Sequence, residues 1–176
     1  MESQGFNRIA AIALLFLNEE DAFWLMVYII DVVMPPTYYA KQLVGAQIDQ
    51  AVFKELVAEK LPVLSEHFDT HGVDPSLFSL NWFLCLFVDT LPVNTYLHIW
   101  DAFLFEGSKV LRNLAKDFLL FLFAQVLFRY ALAILKSVEE KLLRQNDYMS
   151  LFSTFKTEVE SLSDVKSLTQ VTSLEI

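Results

Sequence analysis

Residues 49–72 read DQAVFKELVAEKLPVLSEHFDTHG, and their punctuation sets the fold class. From Asp49 to Leu61 the large apolar residues fall at Val52, Phe53, Leu56, Val57 and Leu61, the three-and-four spacing of one helix face. Pro62 suits the first position of a second helix, where the amide it lacks would have no intrahelical partner. Leu64 and Phe68 point inward from that helix, and Gly72 suits the left-handed residue beyond its end.

The same grammar continues upstream and downstream. Tyr38 to Leu43 makes a short amphipathic turn or two ending at Gly45. Before it, Asn18 can cap a helix whose first turn carries Glu19, Glu20 and Asp21, the charge preferred at a helix start. That helix carries Phe23, Trp24, Val27, Ile30 and Met34, and Pro35-Pro36 stops it. Ile9 to Leu17 is apolar almost all round and reads as a buried helix. Downstream, Val73-Asp74-Pro75 is a turn, and Leu77 to Leu91 is too apolar for any exposed face. Pro92 opens a helix over Val93 to Glu106 that Gly107 closes, with Trp100 as a core anchor. Lys136 to Arg144 is a charged helix and Tyr148 to Leu162 an amphipathic one. No period-2 stretch of convincing length occurs, so the expected fold is all-α. Residues 161–176 lose aromatics, gain Ser and Thr, and read as a disordered tail.

Composition narrows the function classes. With 13 Lys and Arg against 22 Asp and Glu, the 176-residue chain has a net charge of −9, which argues against a nucleic-acid or anionic-lipid surface. One cysteine, Cys85, excludes an internal disulfide framework and a Cys-rich zinc site, and fits a reducing compartment. The apolar share of 55% exceeds the ~45–50% of ordinary soluble domains. Such an excess means either contact with a membrane or a core face left uncovered. The stretch FLLFLFAQVLFRYALAIL, residues 118–135, is the candidate span. A span needs ~20 apolar residues, and Arg129 within it costs at least ~2.5 kcal/mol on insertion scales, so a long buried helix is the reading preferred here.

Self-contained chemistry is absent from the pattern. His67 and His71, four apart, could share a helix face toward a metal, but no HExxH accompanies them and they read as solvent-facing residues at a helix end. His98 beside Ile99 and Trp100 reads as a core histidine with a satisfied hydrogen bond. Cys85, between Leu84 and Leu86, reads as a buried, inert thiol. No GxSxG, GxxxxGK[ST] or GxGxxG occurs.

Longer strings carry a resemblance. Gln4-Gly5-Phe6-Asn7-Arg8 runs into IAAIALLFL and NEEDAFWLM. Asn81-Trp82-Phe83-Leu84 with Phe87-Val88-Asp89 follows, and then residues 99–110, IWDAFLFEGSKV. In order and spacing these resemble the middle and later blocks of the TBC domain, the Rab GTPase-activating fold. Ala22-Phe23-Trp24, Tyr38-Tyr39 and Val44 to Gln50 (VGAQIDQ) resemble its Armus-like subgroup. The likeness covers residues 3 to 160. It implies the helical C-terminal lobe of a TBC domain over residues 1–160 and a Rab-family GTPase as partner, with GTP and Mg²⁺ carried by that partner and no cofactor of the chain's own. It further implies work in endosomal or vesicle traffic, cytoplasmic and peripheral to membranes, with no nucleic acid and no integral span.

That family acts through two fingers, an arginine in IxxDxxR and a glutamine in YxQ. The resemblance places Gln4 at the glutamine position, although Glu2 stands where the motif has Tyr and Ser3 where Cys is common. No IxxDxxR occurs in the 176 residues, so the expectation is a part of the domain without its N-terminal lobe and with little activity alone. Arg8 matches a different family position and reads as a helix-surface arginine paired with an acidic neighbour. Family members run directly from an SKVL-like to an LFRxALA-like string. Here Arg112 to Val126 (RNLAKDFLLFLFAQV) separates Leu111 from Leu127, an inserted apolar helical segment that creates most of the apparent span. Two rival readings stay open: a non-catalytic Rab-binding or scaffold module, and a membrane-anchored helical protein.

Overall fold

The computed structural model describes residues 5–35, 37–110, 116–164 and 168. Among them the regular structure is helical: α1 (Phe6–Phe16), α2 (Glu19–Tyr28) with a π-helical continuation (Ile29–Val33), α3 (Val44–Lys60), α4 (Pro62–Thr70), α5 (Ser76–Cys85), α6 (Val93–Val110), α7 (Lys116–Leu142) and α8 (Tyr148–Glu160). Several boundaries follow local chemistry. Asn18 Oδ1 accepts from the Asp21 amide at 2.9 Å and caps α2. Pro62 opens α4. Gly72 ends α4 at φ 66°, with the Val73 amide reaching back to the Phe68 carbonyl at 2.9 Å. Asp147 caps α8 through the Ser150 amide.

Helix α7 is the hub, touching α3, α5, α6, α8 and the π-helical segment. Among its described side chains the buried ones run from Val126 through Leu142, with Ala131, Ala133, Ile134 and Leu135 fully enclosed. Small residues there let neighbouring helices approach, and Phe53 of α3 stacks with Phe128 at 6.2 Å. A second aromatic cluster, Phe78, Trp82 and Phe155, joins α5 to α8, with Phe78 and Phe155 centroids 4.1 Å apart. The stretch 118–135 thus lies within α7, and among the described residues no helix is long and apolar enough to cross a membrane.

The structure differs from the sequence expectations in five places. Helix α3 begins at Val44, so Gly45 is a helical residue; a Cβ there would come within 3.1 Å of the Tyr38 backbone. The stretch 77–91 is not one apolar helix: α5 stops at Cys85, and Leu86, Phe87 and Asp89 take left-handed φ of 51°, 63° and 68°. Helix α6 runs through Gly107 to Val110. Helix α1 is buried on one side only, at Ile9 and Ala13; its end is open, with Leu15 74% and Phe16 68% exposed. Of the tail expected after residue 160, two points make contact: Thr95 Oγ1 donates to the Leu162 carbonyl at 2.7 Å and Leu168 is buried, whereas Ser161, Ser163 and Asp164 are exposed and residues 165–167 and 169–176 lie outside the described residues.

Candidate functional site

Gln4 lies outside the described residues, and the site is built from the chain that follows it. Helix α1 starts at Gly5 with no side-chain cap and no acidic residue in its first turn, so among the described residues no local side chain holds that end. Tertiary contacts hold it instead. A Cβ on Gly5 would sit 2.4 Å from the Leu84 carbonyl oxygen, a backbone atom that cannot swing away, so only glycine allows this approach. The Phe6 ring packs on Tyr39 at 4.1 Å, and the Tyr39 hydroxyl donates to that same Leu84 carbonyl at 3.2 Å. One turn further on, the Arg8 guanidinium pairs with the Asp89 carboxylate.

The receiving surface is the end of α5 and the turn after it. Non-glycine residues rarely adopt left-handed backbone, and three of the four residues from Leu86 to Asp89 do so. Tertiary contacts compensate. Leu86, Phe87 and Val88 are buried, the Phe87 amide bonds the Trp82 carbonyl at 2.8 Å, and Trp100 Nε1–H donates to the Leu86 carbonyl at 3.0 Å. Trp100 is 7% exposed, as expected of a core anchor. Cys85 is buried, its Sγ donates to Asn81 Oδ1 at 3.3 Å, and burial pushes the thiol pKa up, which suits an inert role. Behind Tyr39, the Tyr38 hydroxyl is buried without a bond of hydrogen-bonding geometry. Burial, reinforced by the nearby Asp49 carboxylate, drives its pKa upward; Asp49 itself is pushed up by burial to about 6.

The histidines fall elsewhere. His67 and His71 are half-buried rather than solvent-facing, with rings 4.4 Å apart and the His71 Nδ1 2.8 Å from the His67 carbonyl. His98 is exposed, not a core residue, because its position on α6 turns it away from the buried Ile99–Trp100 face. Among the described residues no group of three or more His, Cys, Asp or Glu is placed to hold a metal. Arg8 sits in the surface pair expected of it, but its partner was not foreseen. Asp89, Tyr39 and Leu84 lie in strings that carry the family resemblance, but nothing in those strings says that they meet the start of α1. Gly5, one of four glycines and the neighbour of Gln4, was the available signal.

Beyond the far end of α1 the surface is apolar. Leu14, Leu15 and Phe16 are exposed together with Phe23 and Trp24 of α2, both 59% exposed. Phe16 and Leu17 lead into a groove of about 360 Å³ floored by Ile12, Leu25, Leu97, Trp100 and Leu104. Trp100 therefore touches both features, holding the left-handed turn with its N–H while its ring lines the groove.

Comparison with known proteins agrees with this architecture. The Rab-GTPase-TBC domain matches residues 3–143. The chain is 42% identical over 168 residues to TBC1 domain family member 2B of Mus musculus and of Homo sapiens, covering 96% of this chain and 16% of each relative. It is 42% identical over 169 residues to TBC1 domain family member 2A of Rattus norvegicus, again 96% of this chain and 17% of the relative. It thus spans about one-sixth of the length of these curated relatives, which belong to the Armus-like subgroup. Among solved structures, the Chlamydomonas flagellar RabGAP TBC domain superposes with a TM-score of 0.79 at 28% identity, over 97% of this chain and 52% of that one. The chain belongs to the Rab-GTPase-TBC domain family.

Proposed function

We propose that this chain contributes the glutamine-bearing part of a GTPase activator for a Rab-family GTPase, with Gln4 orienting the attacking water. Phosphoryl transfer depends on positioning and charge compensation, and a water-orienting glutamine requires a backbone that does not wander. The observation that supports the assignment is the clamp on Gly5, Phe6 and Arg8, which fixes the chain immediately after Gln4 although α1 lacks a cap. GTP and Mg²⁺ enter with the Rab, and the chain supplies no cofactor. The arginine finger comes from outside these 176 residues, since no IxxDxxR occurs within them. We read residues 1–160 as the C-terminal part of the domain. The open apolar end of α1 and α2 is then the face on which the remainder of a TBC domain sits, and the match to 52% of the flagellar domain supports this. Its place of work is the cytoplasmic side of endosomal or other vesicle membranes, held peripherally.

The test is single-turnover hydrolysis of Rab-bound GTP. The 176-residue chain alone should raise the intrinsic rate only marginally, whereas the chain joined to the upstream TBC segment of member 2B should raise it roughly 10³-fold or more. In the joined protein, Gln4→Ala should remove most of that gain while leaving Rab affinity nearly unchanged, because water positioning contributes to the transition state and not to ground-state binding. Glu2 and Ser3, where the motif has Tyr and Cys, favour a second reading as a non-catalytic Rab-binding module. Capture of Rab-GTP by the joined protein without any acceleration would establish that reading instead.

A further inference from the structure

We propose that Asp89 is a positioning residue for Gln4, acting through Arg8; the proposal rests on the glutamine assignment above. Three observations converge on it. First, among the described residues no side chain caps the N-terminus of α1, and the contacts seen there are tertiary. Second, those contacts end on one short segment: Gly5 abuts the Leu84 carbonyl, Tyr39 under Phe6 bonds that same carbonyl, and Arg8 reaches Asp89. Third, the segment is held in a costly conformation, with Leu86, Phe87 and Asp89 all left-handed.

The chemistry of each part fits this role. Asp tolerates left-handed backbone better than most side chains, so Asp89 can occupy the last strained position and still present a carboxylate. Arg8 lies in the first turn of α1, four residues after Gln4 in the sequence, where a lateral tether opposes rotation of α1 about its axis. Gly5 and Phe6 fix the depth of the helix end, but neither contact is directional in the same sense. Both charged side chains are substantially exposed, and exposed ion pairs add little to stability. A pair that stabilises little yet is anchored to a strained turn is better explained by orientation than by folding.

Asp89→Asn is the informative change, because Asn keeps the left-handed preference and the size while losing the charge. In the joined protein, Asp89→Asn and Arg8→Ala should each lower kcat for Rab-GTP hydrolysis roughly tenfold to a hundredfold, the scale of a small misplacement of a catalytic group. KM for Rab-GTP should change less than about twofold and the melting temperature of the 176-residue chain should hold, as expected for loss of an exposed pair. Arg8→Lys should recover most of the rate, and the double variant should be no slower than the slower single one, since both remove one tether. An unchanged kcat in Asp89→Asn, beside a crippled Gln4→Ala control, would overturn the proposal while leaving the glutamine assignment standing. A loss of kcat matched by a rise in KM or by a fall in melting temperature would also overturn it. An unaffected Gln4→Ala control would remove both.

Discussion

Trp100 tests how far the strained turn depends on the core. Its indole is almost enclosed, its N–H donates to the Leu86 carbonyl at 3.0 Å, and its ring lines the groove beside Ile12 and Leu97. Trp100→Ala removes a large buried aromatic, which costs ~3–5 kcal/mol. It also leaves the Leu86 carbonyl without its donor, and a buried unsatisfied acceptor costs a further ~1–3 kcal/mol. A domain of this size has a stability of only about 5–15 kcal/mol, so Trp100→Ala should unfold or aggregate the chain. Trp100→Phe separates the two contributions. It retains most of the apolar contact and deletes the hydrogen bond, so it should cost ~1–3 kcal/mol. At about 2–4 °C per kcal/mol for a chain of this length, the melting temperature should fall by roughly 2–12 °C. Far-UV circular dichroism melts of the three proteins, with urea titration for the Phe variant, give both figures. A Trp100→Ala protein that stays folded within about 1 kcal/mol of the parent would show that the indole supports neither the turn nor the core.

Two further outcomes follow from other parts of the molecule. Asp49 is pushed up by burial to about 6 in the folded state, against about 4 in an unfolded chain, so the fold binds the extra proton in that window and loses stability as pH rises through it. Asp49→Asn should therefore melt several degrees above the parent at pH 7.5, and the advantage should vanish below pH ~4; an advantage independent of pH would contradict this. Deleting residues 112–126 should raise soluble yield and melting temperature, because Leu111 then joins Leu127 directly and the six consecutive large apolar residues Phe118 to Phe123 no longer need burial. Equal or lower stability after deletion would show that the inserted turns of α7 pack natively.

Much of the fold was legible because local chemistry and tertiary structure agree. The Asn18 cap, Pro62 at the start of α4, Gly72 beyond its end and the buried Trp100 each follow from a residue whose preference the fold respects. The end of α5 was not legible, for the opposite reason. From Asn81 to Leu91 the sequence NWFLCLFVDTL contains no Gly or Pro, so local propensity continues the helix. The chain instead turns left-handed at Leu86 because three of its side chains gain burial and two backbone groups gain partners from Trp82 and Trp100. The pattern of apolar residues also states that a side chain favours burial without stating what buries it. Leu15 and Phe16 continue the apolar run of Ile9 and Ala13, yet the last turn of α1, from Leu14 to Phe16, stays exposed.

The two ends of α1 are thus held by different physics. The first end is fixed by close backbone approach, a ring contact and an ion pair, all of them geometric and none requiring much apolar area. The second end offers large exposed apolar surface. Apolar burial is non-directional and scales with area, so it suits the joining of large bodies but aligns a single residue poorly. Alignment within fractions of an ångström needs contacts that fail when displaced, which is what a glycine pressed against a carbonyl and a tether at one helical turn provide. The division places the orienting contacts on the residues that directly follow Gln4 in the sequence, the proposed water-orienting residue, and leaves the area-dependent contact at the far end. Trp100 belongs to both, so a change there should disturb the groove and the turn together, whereas Asp89→Asn should disturb only the alignment.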